Sequence, residues 1–304
     1  MIRLVVFPWH NGLRLDQFLA AATPLSRRRC RSLLADGEVA RNGQVSRVMA
    51  RPVATGEVID LLSLPPTSEL PARPDVPLVH LAYRDDWLVF AEKPPGVLSQ
   101  PAEERAPGEL ALDERLLLQL ALEAGRKPCL QLVHRLDRGT SGLLLFAANP
   151  AAHAPLARAW REGQVERRYL AVVEGCPAFE ELRVEAPIAR SADGAWRFEA
   201  RADGKPARTE VRVVVRGEQE SLLACRLSTG RTHQVRVHLA SVGHPVVGDR
   251  LYGAREGSAG RPLLHAAEIS LPHPKTGEPL RVSSPLPPEM AERLPAGSGL
   301  GLVQ

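Results

Sequence analysis

The sequence predicts an α+β protein, built on a largely antiparallel mixed sheet and preceded by a small α/β module. Three observations carry that expectation. From about residue 78 to 290, strand-like runs outnumber helical segments and many neighbours lie close in sequence, which favours antiparallel pairing over a doubly wound parallel sheet. Residues 1–64 hold nine arginines against five acids, a net charge of +4 that accounts for the whole excess of the chain. Between these regions, residues 65–77 contain Pro65, Pro66, Pro71, Pro74 and Pro77, which prevent regular helix or central strand and read as a semi-rigid linker.

The 304 residues suffice for one large domain with an appendage or for two ordinary ones. A hydrophobic content of 44% with interspersed charge argues for a globular chain, and no apolar run approaches a membrane span. The start, Met1 to Pro8, is too short an apolar run for a signal peptide and has no small-residue cleavage site. Cys30, Cys129, Cys176 and Cys225 are far apart and none is spaced for zinc, so a reducing cytoplasm is the expected compartment. Concentrated basic charge calls for a polyanionic partner.

In the front module, Leu15, Phe18, Leu19 and Ala22 follow helical spacing, with Asp16 in the first turn where a negative charge suits the helix dipole. Ser26 is the expected N-cap of a second helix from Arg27 to Ala35, ended by Asp36-Gly37. Cys30, Leu33 and Leu34 face one way on it, and Arg27, Arg28 and Arg31 another. Asn42-Gly43 between two short apolar runs predicts a hairpin, and Val58 to Leu61 a last strand.

In the second domain, strands are expected at Leu78–Tyr83, Trp87–Ala91, Gly142–Ala147, Tyr169–Val173, Val211–Arg216, Leu222–Leu227 and Gln234–Leu239. Helices are expected at Ala111–Ala124 and after Asn149-Pro150, where an N-cap residue, a first-turn proline and Gly163 supply start and stop. The glycine-rich residues 291–304 read as a loose tail.

The stretch from Leu132 to Phe146 organises the chemistry. An apolar lead-in enters a polar knot, His134-Arg135-Leu136-Asp137-Arg138-Gly139-Thr140, and an apolar run leaves it. Asp137 between Arg135 and Arg138 is either a salt-bridged structural post or a reactive carboxylate held ionised by cations. Further clusters follow: Lys93-Pro94-Pro95-Gly96, Arg168-Tyr169-Leu170-Ala171, Gly230-Arg231-Thr232-His233-Gln234, Gly243-His244-Pro245 through Asp249, and Leu263-Leu264-His265.

Together, from about Lys93 to Leu286, these clusters resemble the RluA family of RNA pseudouridine synthases, with the motifs in family order. The front module resembles the S4 RNA-binding domain, through Arg14-Leu15-Asp16, Ser26-Arg27-Arg28, Gly37 and Asn42-Gly43. Gly139 departs from family members with an acidic or other residue there, and residues 102–127 carry no family motif. The resemblance implies isomerisation of uridine to pseudouridine in structured RNA, with large-subunit ribosomal RNA expected first and transfer RNA second. The isomerisation oxidises nothing and imports no group, so no cofactor or metal is expected. The enzyme is expected to act as a monomer, with no membrane partner.

The resemblance makes Asp137 the group beside C1′ and C2′ of the sugar, either attacking C1′ or helping to remove a C2′ proton. Either route needs an ionised carboxylate, which a close arginine favours, and Arg231 is the implied partner. Tyr169 would pack against the base and move a proton late, and Leu264 would line the base's apolar wall. Arg135 would fill the gap left by a nucleotide withdrawn from its stack. Arg27, Arg28 and Arg31 would hold phosphates.

Other readings fit less well. His233, His238 and His244 suggest a metal hydrolase, but residues five apart diverge on a strand and on a helix. Ser141, His134 and Asp137 lack the Gly-x-Ser-x-Gly elbow of a hydrolase, and the chain has no phosphate-binding loop of the helicase type. A non-catalytic RNA-binding protein of the same fold would have no need for Asp137, Tyr169 and Arg231 together.

Overall fold

A computed structural model describes residues 1–63, 76–103, 105–193, 196–257 and 259–295. The chain forms two compact units, one of residues 1–79 and 100–131, the other of residues 80–99 and 132–304. Most of the expected linker, residues 65–77, and the end of the expected tail lie outside the described residues.

The first unit is a four-stranded antiparallel sheet in the order Ile2–Val5, Val58–Leu61, Val39–Arg41, Gln44–Val45. Asn42 and Gly43 both take positive φ between the last two strands, as a tight hairpin of this hand requires. The helices are Leu15–Ala22 and Arg27–Ala35, the second capped by the Ser26 hydroxyl accepting the Arg29 amide. Phe18, Leu19, Leu33 and Leu34 bury against Val39 and Ile59 on one face of the sheet. Val58, which alternates with Ile59, packs on the opposite face with Leu110, Leu118 and Ala121. The helix Leu112–Ala124, expected within the second domain, therefore completes the core of this unit. An apolar sheet with two faces needs two covers, and the front sixty-odd residues supply helices for only one.

The second unit is built on a ten-stranded sheet. Its main path runs Glu181–Glu185, Arg208–Val215, Glu220–Leu227, Glu166–Glu174, Leu264–Pro272, Ser141–Ala147, Leu88–Lys93, Leu81–Arg84. Leu264–Pro272 and Ser141–Ala147 run parallel; the other neighbours on this path are antiparallel. The α+β architecture is thus the one the strand count predicted. Leu156 and Ala159 of the helix His153–Arg161 cover Leu88, Phe90, Leu143 and Leu145. Asn149 caps the turn that leads into that helix by accepting the Ala151 amide at 2.9 Å.

Two expected strands are corrected. The first edge strand begins at Leu81, and Leu78, 86% exposed, lies outside the sheet's buried face. Gln234–Ser241 is an α-helix where the alternation of Val235, Val237 and Leu239 predicted a strand. Residues 234–239 are all buried, so polar and apolar positions alike face protein and the alternation no longer reports an exposed side. No helix among the described residues is long and apolar enough to cross a membrane.

Candidate active site

Asp137 stands in the loop that precedes the fully buried strand Ser141–Ala147. That loop is fastened from below by the Lys93-Pro94-Pro95-Gly96 turn. The Lys93 ammonium, 1% exposed, donates to the carbonyls of Pro94, Val97 and Arg138 at 3.1, 2.7 and 3.0 Å. Burial pulls its pKa down to about 7, yet three carbonyl acceptors use every N–H of the charged form and hold the two loops together. Ser99 adds a second fastening. Its hydroxyl donates to the Leu136 carbonyl at 2.8 Å and accepts the Leu136 amide at 2.9 Å, fixing the residue before Asp137.

Sheet register brings the remaining side chains to this loop. Ala266 lies opposite Gly142 on one side and Tyr169 on the other, so three strands are locked abreast. Gly142 has φ +110°, and a Cβ there would lie 2.3 Å from the Ala266 carbonyl oxygen. Only glycine lets the strand behind Asp137 approach so closely. Arg135, Asp137, Tyr169, Arg231 and Leu264, all expected at the site from sequence, line one cleft with Thr140, Leu227, His233 and Arg236. Arg27, Arg28 and Arg31 belong to the first unit and are not among the residues that line this cleft.

The cation on Asp137 is Arg236, which corrects the expected pairing with Arg231. Arg236 Nη1 donates to Asp137 Oδ2 at 3.2 Å, while Nε and Nη2 donate to the two carboxylate oxygens of Asp249 at 2.6 and 2.8 Å. Arg231 instead donates from Nε to the Pro206 carbonyl at 3.1 Å, and its side chain is exposed. The reason is the helix. Arg236 sits in its first turn, directed inward, whereas Arg231 lies in the glycine turn ahead of it. Burial opposes the Arg236 charge, but the bonds to Asp249 and Asp137 outweigh it and raise its pKa. Asp249 ends one of the sequence clusters and Arg236 lies two residues beyond another, and nothing in their spacing identifies them as a pair.

His233 approaches the same carboxylate oxygen. It occupies the left-handed region at φ +57°, a conformation that costs energy for a residue with a Cβ. Its Nδ1 lies 2.7 Å from the Tyr252 hydroxyl, which also accepts the Phe198 amide at 3.1 Å. The direction of the Nδ1–hydroxyl bond follows the imidazole tautomer, and Nε2 lies 3.7 Å from Asp137 Oδ2. Burial lowers the His233 pKa, which keeps the ring neutral near neutral pH. Arg236 and His233 thus both converge on Oδ2, and among the described residues Oδ1 of Asp137 has no partner.

Tyr169 is buried, and that burial pushes its phenol up to about 12. It is a protonated hydroxyl at neutral pH. Arg135 is exposed on the cleft and forms no ion pair among the described residues. The three histidines weighed as metal ligands go separate ways. His238 bonds Thr209 and the Ala186 carbonyl, and His244 bonds the Glu174 carbonyl. Among the described residues no group of side chains is arranged to hold a metal ion.

Arg27 and Arg31 are not free cations. Asp16, fully buried, receives the Nε of each at 2.9 Å and that of Arg14 at 3.3 Å. Burial alone would raise the Asp16 pKa; the bonds from Arg31 and Arg27 carry it below the usual carboxylate value. Arg28 and Arg29 are exposed and form no ion pair among the described residues.

Comparison with known proteins places these residues in a wider set. Residues 87–241, which include Asp137, Tyr169, Arg231 and Arg236, match the family model described as RNA pseudouridylate synthase. The chain is 35% identical to the ribosomal large subunit pseudouridine synthase D of Nitrosomonas europaea, over 94% of this chain and 84% of that protein. It is 38% identical to an uncharacterized RNA pseudouridine synthase of Chloroflexus aurantiacus, over 94% and 90% respectively. Among solved structures it is similar to human RNA Pseudouridylate Synthase Domain Containing 1, with a TM-score of 0.59 and 28% identity, covering 72% of this chain and 88% of that one.

Proposed function

Because the chain belongs to the RNA pseudouridylate synthase family, and so is an RNA pseudouridine synthase, we propose that Asp137 is its reactive carboxylate and large-subunit ribosomal RNA its substrate. The observation that supports the first part is the asymmetric hold on Asp137. Oδ2 is engaged by Arg236 and faced by His233, and Oδ1 has no partner among the described residues of a side chain that lines the cleft. The names of relatives from Nitrosomonas europaea and Zymomonas mobilis, both ribosomal large subunit pseudouridine synthase D, support the second.

The reaction breaks the N1–C1′ bond, rotates the uracil and joins C5 to C1′. One proton leaves C5 and one is gained at N1, so atoms and electrons balance without an external reagent. Asp137 Oδ1 either adds to C1′ and is displaced again, or takes the C2′ proton and returns it. Both routes need a charged oxygen whose partner oxygen is fixed, and Arg236 supplies that fixed point. Tyr169, as a neutral phenol, packs on the base and serves the late proton movement. Leu264, 3% exposed, closes the apolar side. Arg135, unpaired at the mouth, enters the stack vacated by the uridine.

In the first unit, the S4-like reading assigns phosphate contact to exposed Arg28, flanked by Arg29. Arg27 and Arg31 reach the same surface only with Asp16 already on them. The test uses transcripts of large-subunit ribosomal RNA and of transfer RNA carrying tritium at uridine C5, whose release reports loss of the C5 proton. The protein should release tritium from the ribosomal transcript, and Asp137→Asn should fall to background while still binding it. Release by Asp137→Asn near the parent rate would overturn the assignment of the carboxylate. Release from transfer RNA alone would overturn that of the target.

A further inference from the structure

We propose that Trp196 is a stacking platform for an unpaired nucleobase next to the target uridine; the proposal rests on the reading of the cleft as an RNA site. Trp196 lies beside the strand Phe198–Ala200 of a short hairpin, whose partner strand is Ile188–Arg190. The hairpin has its own apolar support. Ile188, Ala207 and Val237 form a buried cluster, with Phe198 and Tyr252 packed against it. Trp196 is absent from that cluster and is 63% exposed. A single exposed apolar side chain is ordinary on a protein surface. The company this one keeps is not.

Its ring meets His233 at 5.9 Å between centroids, with planes 70° apart, and Phe198 at 6.2 Å and 87°. His233 in turn meets Phe198 at 5.8 Å and Tyr252 at 5.6 Å, and its Nε2 is 3.7 Å from Asp137 Oδ2. An aromatic wall therefore runs from the proposed reacting carboxylate to open solvent, and Trp196 is its outer end. Both of its ring contacts are edge-to-face, so they orient the indole without stacking another ring on it. That arrangement offers a flat surface one side chain away from a residue that touches the site.

A nucleobase is the occupant that this surface fits. Arg135 and Arg231 line the same cleft as His233, are exposed, and make no ion pair among the described residues. Two guanidiniums without ion pairs in the cleft, and an open indole against the cleft's His233, offer phosphate contact and base stacking together, the combination used for single-stranded nucleic acid. A uridine withdrawn into the cleft leaves its chain neighbour unstacked at the rim. Trp196 restores that stacking without reading a particular base, since every base has a π-face. An apolar protein surface would gain nothing from two cations that have no ion pair.

The probe is a short single-stranded oligouridylate carrying one 2-aminopurine, whose fluorescence is quenched when it stacks on an indole. Full-length parent protein should quench it on binding, with the depth of quenching depending on the label's position in the strand. Trp196→Ala should bind about ten-fold more weakly and lose the quenching, while Trp196→Phe should recover most of the affinity. The affinity ratio of parent to Trp196→Ala should be the same at low and high salt, because stacking releases no counterions. Asp137→Asn should bind and quench as the parent does, which separates this proposal from the identity of the reactive group. Parent-like quenching by Trp196→Ala, with unchanged melting temperature, would overturn the platform. So would a Trp196-dependent dimer in sedimentation, which would make a second copy the occupant.

Discussion

Arg236 Nη1 lies 3.2 Å from Oδ2 of Asp137 while the other nitrogens of the same guanidinium hold Asp249. One cation thus serves two carboxylates, and it grips Asp249 more closely than Asp137. Asp249 is 1% exposed and cannot reach water for compensation. Its role is to fix the plane of the guanidinium, so that Nη1 is turned toward Asp137.

Removing that cation should therefore cost both stability and rate. Arg236→Gln leaves Asp249 buried and unpaired, an expected loss of about 3–5 kcal/mol. The double variant Arg236→Gln with Asp249→Asn should regain most of that stability in urea unfolding but no tritium release. Recovery of turnover by the double variant would show that the charge on Arg236 is not needed at Asp137.

Arg231→Ala should behave differently. Its side chain is exposed and donates to the Pro206 carbonyl, leaving the Asp137 pair intact. Stability should change little, KM for RNA should rise, and the pH–rate profile should keep its shape. A displaced profile would mean that Arg231 does reach Asp137 during turnover.

Gly142→Ala places a methyl 2.3 Å from the Ala266 oxygen at a φ of +110°. Two penalties combine, backbone strain and a collision within a locked sheet, so about 2 kcal/mol or more should be lost, with a lower rate. Gly163→Ala is the control, having φ +71° but open space around it. Its cost should be about 1 kcal/mol from backbone alone. Equal losses at the two sites would show that the Ala266 collision relaxes freely.

His134, directly ahead of Arg135, gives the fold an acid sensitivity. Its Nε2 accepts the Leu145 amide at 3.2 Å, and burial, aided by nearby Arg167, brings its pKa down to about 3 from the usual 6.5. The unfolded chain takes up that proton as pH falls through 6.5 and the folded chain does not until about 3. Stability should fall across this window by about 1.4 kcal/mol per pH unit while only the unfolded state is protonated. His265, pushed to about 4 chiefly by burial, adds to the loss in the upper part of the window. His134→Gln keeps an acceptor for Leu145, so the unfolding free energy should fall less between about pH 7 and about pH 5. An unaltered pH dependence would count against a neutral His134.

In the first unit, Arg28→Ala should lower the slope of log affinity against log salt by about one. Arg27→Ala should lower it less, because Asp16 already neutralises that cation in part. Point substitution is preferable to cutting the chain after residue 64, since Leu110, Leu118 and Ala121 belong to the first unit's core. Equal slopes for the parent and Arg28→Ala would remove Arg28 from the phosphate surface.

Much of this protein is legible in its residues. The Ser26 cap, the Asn42-Gly43 hairpin and the helix after Asn149 are decided within a few residues, by local hydrogen bonds and φ preferences that the side chains themselves carry. The α+β class follows from the number and closeness of apolar runs. Five of the expected site residues, Arg135, Asp137, Tyr169, Arg231 and Leu264, do line one cleft. Their motifs were visible as glycine turns and charges at strand ends, where chain geometry already restricts the choice of residue.

What the sequence left undecided depends on partners distant along the chain. The alternation of Val235, Val237 and Leu239 reads as a strand until burial on every side is known, and only then is Arg236 directed inward to Asp137. Arg27 and Arg31 read as a free basic face until Asp16, eleven and fifteen residues earlier, is found beneath them. Leu112–Ala124 is a helix by its pattern, but which sheet it covers is decided by which apolar face lacks a cover. Periodicity records that a face is buried and charge records that a partner is needed. Which partner meets which face is set by packing, an energy that exists only once the whole chain has closed.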